Sequence, residues 1–250
     1  DRVLLRRGCT WRGRLVVPAS GAEGEPIVID AYGPGAKPRV SGADVVADWS
    51  AEGDNVWRAK VRQRPRLVVL DGTTWLIRGE SKDQLTDHEW FWDRGTLHFR
   101  DDSGSPAKTG AVIEAGQRSQ IIDLNGQSHI VVQDLHLEQS NNHAINGNHC
   151  TGITIQRVDV RLCPRGKDNG SVRLNHSRDI VIRDCTFKRI YNDCIYCWKP
   201  TNITIADSRF TEIADDPNDT DPKHRSDGVQ LSGANTVRIV GNYVNMQGTD

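Results

Sequence analysis

The chain has 250 residues, 36% of them apolar and 26% charged, with 23 Gly and a formal net charge of −1 from 32 basic and 33 acidic side chains. That balance lacks the basic excess expected of a nucleic-acid or membrane-surface partner, and no stretch approaches the roughly 20 apolar residues of a spanning helix. Low apolar content with recurrent short Val and Ile runs describes a folded, turn-rich β protein rather than a disordered one.

The chain opens at Asp1 directly into a strand-like run, Arg2-Val3-Leu4-Leu5, with neither an initiating Met nor a signal peptide. The expectation is that a preceding piece, such as a secretion signal, has been removed and that the protein is secreted or periplasmic. Val3-Leu4-Leu5, Leu15-Val16-Val17 and Ile27-Val28-Ile29, punctuated by Gly and Pro, predict one or two opening turns of a repetitive structure over residues 1–47. The pattern breaks between about Asp48 and Gly110, where Trp49, Trp57, Trp75, Trp90 and Trp92 gather. Residues 48–110 read as a small inserted β-rich subdomain whose tryptophans pack a core, with sugar binding as the alternative role.

Residues 111–250 carry the strongest signal, an internal repeat. Apolar-x-apolar runs begin at Ile130, Ile153, Ile180, Ile203 and Val237, spaced 23, 27, 23 and 34 residues apart. A second run begins nine residues before each of them, at Ile121, Ala144, Ser171, Cys194 and Gly228, and this offset never varies. All length variation therefore falls in the connection that enters the earlier strand. One fixed and one variable connection describe a solenoid of short strands stacked at about 4.8 Å. β-branched residues at alternate positions argue for strands, and the Leu and Asn spacing of leucine-rich repeats is absent. Stacking predicts an inward column of Ile122, Ile145, Val172, Ile195 and Val229, another of Leu135, Val158, Cys185 and Ser208, and an amide ladder of Asn125, Asn148 and Asn175. The last residues stop where another strand is expected, so further C-terminal rungs are anticipated.

Six Cys are too few and too irregular for a disulfide framework. Cys194 and Cys197 have a zinc-like spacing, but residues three apart on a strand face opposite sides, so they read as core thiols.

The opening residues, the Pro26-Ile-Val-Ile-Asp-Ala-Tyr-Gly33 segment and the repeats resemble bacterial right-handed parallel β-helix proteins of the pectate-lyase superfamily. The resemblance implies an all-β, right-handed parallel β-helix and dealings with polysaccharide. It does not choose among lyase, hydrolase, epimerase and binding protein.

Alternation along the variable-entry strand points Asp123, Asn146, Arg173, Tyr196 and Gln230 outward, followed by Trp198 and Ser232. The two long connections, Cys163–Gly170 and Ala214–Ser226, rise beside that face and predict a groove for an extended, acidic polysaccharide. The second loop holds four carboxylates and three basic groups, among them Lys223 and Arg225; a solvated or calcium-stiffened loop is the plain alternative. The leading reading is a polysaccharide lyase acting on a uronic acid by β-elimination. The resemblance implies an Arg or Lys base, hence Arg173 or Lys199 with Lys167 and Lys223 nearby, and calcium held by Asp123, Asp193 and Asp227. The alternative is an inverting glycoside hydrolase using Asp193 and Asp227. Asn192-Asp193-Cys-Ile and Ser226-Asp227-Gly-Val are faintly similar to polygalacturonase motifs, although their order is reversed and a doubled Asp is single. These two Asp residues would equally serve to cap strand starts. A non-catalytic surface β-helix that binds sugar through Tyr196 and Trp198 is the third reading. His143 is expected at the groove edge near Asn146, with His149 and His176 stacked beside the Asn column.

Overall fold

The computed structural model describes residues 1–165, 170–218 and 225–246. It divides into two compact units, one of Asp1–Gly42 with Arg118–Asp250 and the other of Ala43–Gln117.

The first unit is a right-handed parallel β-helix. Sheet A stacks Arg2–Arg6, Ile27–Tyr32, Ile130–Gln133, Thr151–Gln156, Arg178–Arg183, Thr201–Ala206 and Asn235–Val240 in that order. Sheet B stacks Thr10–Arg12, Arg39–Ser41, His136–Glu138, Asp159–Cys163, Thr186–Ile190, Arg209–Ile213 and Tyr243–Asn245. Sheet C stacks Leu15–Val16, Gln120–Asp123, His143–Asn148, Val172–Asn175, Ile195–Trp198 and Val229–Ser232. Neighbouring strands in all three are parallel. Each turn of the coil runs A, B, C, and the opening turns number two.

Alternation fills the bore. Ile122, Ile145, Val172 and Ile195 form one inward column, and Leu135, Val158, Cys185 and Ser208 a second, all buried. Phe187 lies flat on Phe210, with ring centroids 5.0 Å apart and planes 2° from parallel. The six cysteines are free, and Cys194 and Cys197 both belong to this core. Burial pushes the Cys163 and Cys185 thiols up to about 11 and Cys197 to about 12, so they stay protonated hydrophobes. The Asn column is less uniform than a ladder: Asn175 is buried and its Oδ1 accepts from the Trp198 N–H at 2.9 Å, whereas Asn148 is exposed.

The corners have a recurrent backbone. Gly126, His149, His176, Lys199 and Gly233 all take left-handed φ values between 48° and 74° at the C-to-A corner. Asp134, Arg157, Asp184, Asp207 and Gly241 do the same, at 50–67°, between sheets A and B. Three residues further on, His129, Gly152, Asp179, Asn202 and Thr236 are left-handed as well, at 54–66°, so every C-to-A corner is built on the same pair of left-handed residues, which goes with the invariant nine-residue offset between sheets C and A.

The second unit holds two four-stranded antiparallel-paired sheets around Trp90, Leu97, Phe99, Val68 and Ile113, with Trp49 and Trp92 packed against that core. Its bounds are wider than the Trp-rich stretch 48–110. Ala43–Val45 pairs antiparallel with Ile113–Gly116, which also pairs with Val68–Leu70, so both flanking strands belong to the insert. It is inserted in the B-to-C connection of the second turn, the connection that also carries the long loops of later turns. Among the described residues no helix is long and apolar enough to cross a membrane.

Candidate active site on sheet C

The outward column of sheet C is in register from Asp123 through Asn146, Arg173 and Tyr196 to Gln230. Arg173 is half-buried; its Nη1 donates to Asn146 Oδ1 at 3.3 Å, while its buried Nε has no partner. One step along each strand, Trp198 is exposed and stacks on His176 at 6.5 Å, which in turn stacks on His149 at 5.0 Å. The result is a polar, half-buried stripe bordered by an exposed run of ring faces.

A second column lies three residues earlier, at the sheet's entry edge: His143, Gly170, Asp193 and Asp227. His143 is buried rather than lying at the edge of a groove. Its Nδ1 lies 2.6 Å from the Gly170 carbonyl and its Nε2 3.0 Å from Asn142 Nδ2. An amide N–H2 can only donate, so Nε2 accepts and Nδ1 carries the proton. Both ring nitrogens are thereby engaged within the fold. Gly170, at φ +94°, has no room for a side chain, since a Cβ would stand 2.5 Å from Tyr196 Cβ.

Asp193 is the most perturbed carboxylate here. It is 1% exposed, and its Oδ1 accepts from the Asp227 backbone N–H at 2.9 Å. Its Oδ2 is buried without a partner. Its pKa is raised to about 6, first by burial and further by the Asp227 charge, against the opposing pull of the Asp227 N–H and of Arg165. Asp227 is exposed one turn further on. Three buried polar atoms without partners, Asn142 Oδ1, Arg173 Nε and Asp193 Oδ2, thus fall on or beside successive turns of one sheet. Such atoms are rare and costly in a structural scaffold.

The three carboxylates expected to hold calcium do not form one site. Asp123 is three turns from Asp193, is ion-paired with Arg14 and accepts from the Asn125 N–H. The one group of three potential ligands among the described residues is Asp87, His88 and Asp101, in the inserted unit. Lys199 is an exposed corner residue at φ +51° whose N–H donates to Ser232 O, and Arg225 is exposed and pairs with Asp215. Lys167 and Lys223 lie outside the described residues.

Arg165 and Asp216, not expected from the sequence, lie beside Asp193, as does Asn192, which the sequence marks only as part of the Asn192-Asp193-Cys-Ile motif. Asp216 is buried, and its Oδ2 accepts from the Arg165 N–H at 3.1 Å while its Oδ1 accepts from the Asn218 N–H. Arg165 Nη1 donates to the Arg225 carbonyl at 3.0 Å, which joins the two long connections beside Asp193. Asn192 Oδ1 accepts from the Asp193 N–H at 2.8 Å and so fixes that residue from the other side. Contacts 51 and 60 residues apart between irregular segments leave no periodic trace; only the Asp216-Pro217 turn signal was available.

No protein-family model matches the sequence, and a search of curated proteins finds no relative. Among solved structures the chain resembles a complex of XylC with xylose at a TM-score of 0.79 and 13% identity, covering 97% of this chain and 53% of that one. A protein described as a glycoside hydrolase follows at 0.51 and 10%, covering 99% and 89%. Pectate lyase Pel9A stands at 0.50 and 13%, covering 96% and 54%. The fold is that of a parallel β-helix. The chain spans about half the length of XylC.

Proposed function

We propose that this chain belongs to a polysaccharide-active enzyme that lays an extended sugar chain along sheet C and cleaves it by acid–base catalysis at Asp193 and Asp227. The observation that carries this is the pairing of a buried carboxyl, raised to about 6, with an exposed carboxylate one turn away. Two carboxyl groups whose environments push them apart are the working parts of glycoside hydrolysis. In this reading the Asp193 carboxyl, buried in the free chain, is uncovered as the sugar chain binds and gives its proton to the leaving glycosidic oxygen, while Asp227 takes one from the attacking water. Arg165 and the Asp227 N–H stop burial from raising Asp193 further. Asn146, Arg173, Tyr196 and Gln230 supply polar contacts along the chain, and Trp198 with His176 supplies ring faces. The parallel β-helix likeness to XylC, described in complex with xylose, supports a carbohydrate ligand. A polymer cannot enter a cell unaided, so a secreted or periplasmic location goes with this reading.

A second reading rests on Arg173. An arginine half-buried mid-sheet with an unpartnered Nε could neutralise a uronate carboxylate during β-elimination. The two differ in product. Incubation with pectate, alginate, glycosaminoglycans and xylan, followed for reducing ends and for ultraviolet absorbance of unsaturated uronate, separates them. New reducing ends without absorbance are expected; absorbance would transfer the chemistry to Arg173. The absence of both signals from folded protein would overturn the enzymatic reading.

A further inference from the structure

The inserted unit carries a group of metal-ligating side chains that the chemistry at sheet C does not use. Trp90–Asp93 pairs antiparallel with Thr96–Arg100, with Trp90 opposite Phe99. The pairing continues past the open end of this hairpin, where the His88 N–H donates to Arg100 O and the Arg100 N–H to Glu89 O, both at 3.0 Å. That register sets His88 opposite Asp101, and cross-strand neighbours stand about 4.5–5.5 Å apart at Cβ. Asp87 is next in line, and one donor atom from each of Asp87, His88 and Asp101 lies within 4.8 Å of the other two. Each side chain is oriented and still has a donor to give. Asp87 Oδ1 accepts from the Asp102 N–H at 2.9 Å, and Asp101 Oδ1 accepts from the Ser103 N–H at 2.9 Å and from the Ser103 hydroxyl. The second oxygen of each carboxylate makes no hydrogen bond among the described residues. The His88 ring lies along Phe99, with centroids 6.2 Å apart and planes 15° from parallel, and neither of its nitrogens is hydrogen-bonded among the described residues. Outer contacts that fix a ligand through one atom and leave the other open are the usual support of a metal site.

Burial supplies an independent pointer to a cation. Asp101 is 2% exposed, and an uncompensated buried carboxylate is costly. The buried Asp30, Asp123 and Glu138 are compensated by Arg2, Arg14 and Arg39. Asp101 has no ion pair among the described residues, and the nearby Asp87 adds a second negative charge. We propose that Asp87, His88 and Asp101 bind zinc through two carboxylate oxygens and one imidazole nitrogen, with water completing the shell. One nitrogen and two oxygens are a zinc donor set, whereas calcium takes six or more oxygens. Ligand atoms about 2.0–2.2 Å from a tetrahedral zinc stand roughly 3.3–3.6 Å from one another. Rotation of the Asp87 and His88 side chains, both exposed, closes the group to that spacing. The ion clips the segment that enters Trp90–Asp93 to the one that leaves Thr96–Arg100, so its work is to hold the open end of the hairpin.

The test uses the full chain, stripped of metal with a chelator and titrated with zinc chloride by calorimetry. One zinc should bind per chain and raise the melting temperature. H88Q and D87N, at exposed positions outside the core, should each weaken binding at least tenfold; D87N keeps the oxygen that accepts from the Asp102 N–H. Cobalt(II) in place of zinc should give the visible absorption of a four- or five-coordinate site, and H88Q should abolish it. Cys9 and the stacked pair His149 and His176 are other groups that zinc could find. The combined variant C9S, H149Q and H176Q should therefore bind zinc as the parent does. No zinc binding, binding indifferent to both H88Q and D87N, binding lost in the combined variant, or calcium bound in preference to zinc would each overturn the proposal. None of these readouts depends on turnover at sheet C, so the two sites stand or fall separately.

Discussion

Asp193 and Glu138 are both buried carboxylates, and they titrate in opposite directions because only one is neutralised. Glu138 is fully buried, but its hydrogen bond with His136 and its ion pairs with Arg161 and Arg39 hold its pKa below the usual range despite burial. It contributes stability above the ordinary glutamate value, lost as pH falls through its lower folded value. Glu138→Gln strands those cations and should cost about 3–5 kcal/mol in urea unfolding at pH 7. Asp193 behaves inversely. Its folded pKa of about 6 exceeds the ordinary 3.8, so the folded state binds the extra proton and stability falls as pH rises through that window. Asp193→Asn keeps the acceptor for the Asp227 N–H and removes the charge. It should be more stable than the parent at pH 8 by up to about 3 kcal/mol, and no more stable at pH 4. The same change should lower kcat on the cleaved polymer about 10²- to 10⁴-fold, and parent activity should decline as pH rises through about 6. An Asp193→Asn variant that is neither more stable at pH 8 nor less active would return this residue to a strand cap.

At the scale of the element, the corners decide what was legible. Lys199, one of the two candidate bases read from the sequence, sits at a left-handed corner whose equivalents in other turns are Gly126, His149, His176 and Gly233. Left-handed backbone costs a non-Gly residue roughly 1–2 kcal/mol. Lys199→Gly should therefore stabilise the coil by about 0.5–1 kcal/mol after the entropy of Gly is counted, with activity retained. Loss of activity in a folded Lys199→Gly variant would restore its chemical role. The sequence displayed the consequence of these corners, the nine-residue offset, without the cause. Asp134, Arg157, Asp184 and Asp207 do not advertise positive φ as Gly does. Strand identity and the inward columns were legible because alternation is a local property, and the outward column followed from them. His143 was misplaced because alternation gives the direction of a side chain but not what covers it. Arg165 and Asp216 were invisible because their pairing joins two irregular segments.

As a whole, the coil is held by nearest-neighbour stacking: each turn touches the one before and the one after. Middle turns bury Ile153, Ile155, Ile180 and Ile182 completely, whereas Val237 and Ile239 in the last described turn are 45% and 54% exposed. In a chain that ends at Asp250, hydrogen exchange should accordingly be slowest at Thr151–Gln156 and Arg178–Arg183 and fastest at Asn235–Val240, whereas further rungs stacked on Asn235–Val240 should slow it there. Uniform protection along sheet A would contradict a stack stabilised by neighbours. The distribution of polar groups follows the same axis, since Asn146, Arg173, Tyr196 and Gln230 belong to four consecutive turns.

The B-to-C connection admits a folded unit in one turn and long loops in others while sheets A and C keep step. Tolerance to deletion should therefore vary around the circumference. Removing one residue between Leu124 and His129 would reverse the facing of every side chain that follows within that turn, whereas shortening the stretch between Ala214 and Ser226 leaves the strand frame intact. The coil thus works as a ruler with one soft seam. Along that seam, ligand preference can be exchanged by cutting and splicing loops, and the bore that keeps the chain folded has no part in the trade.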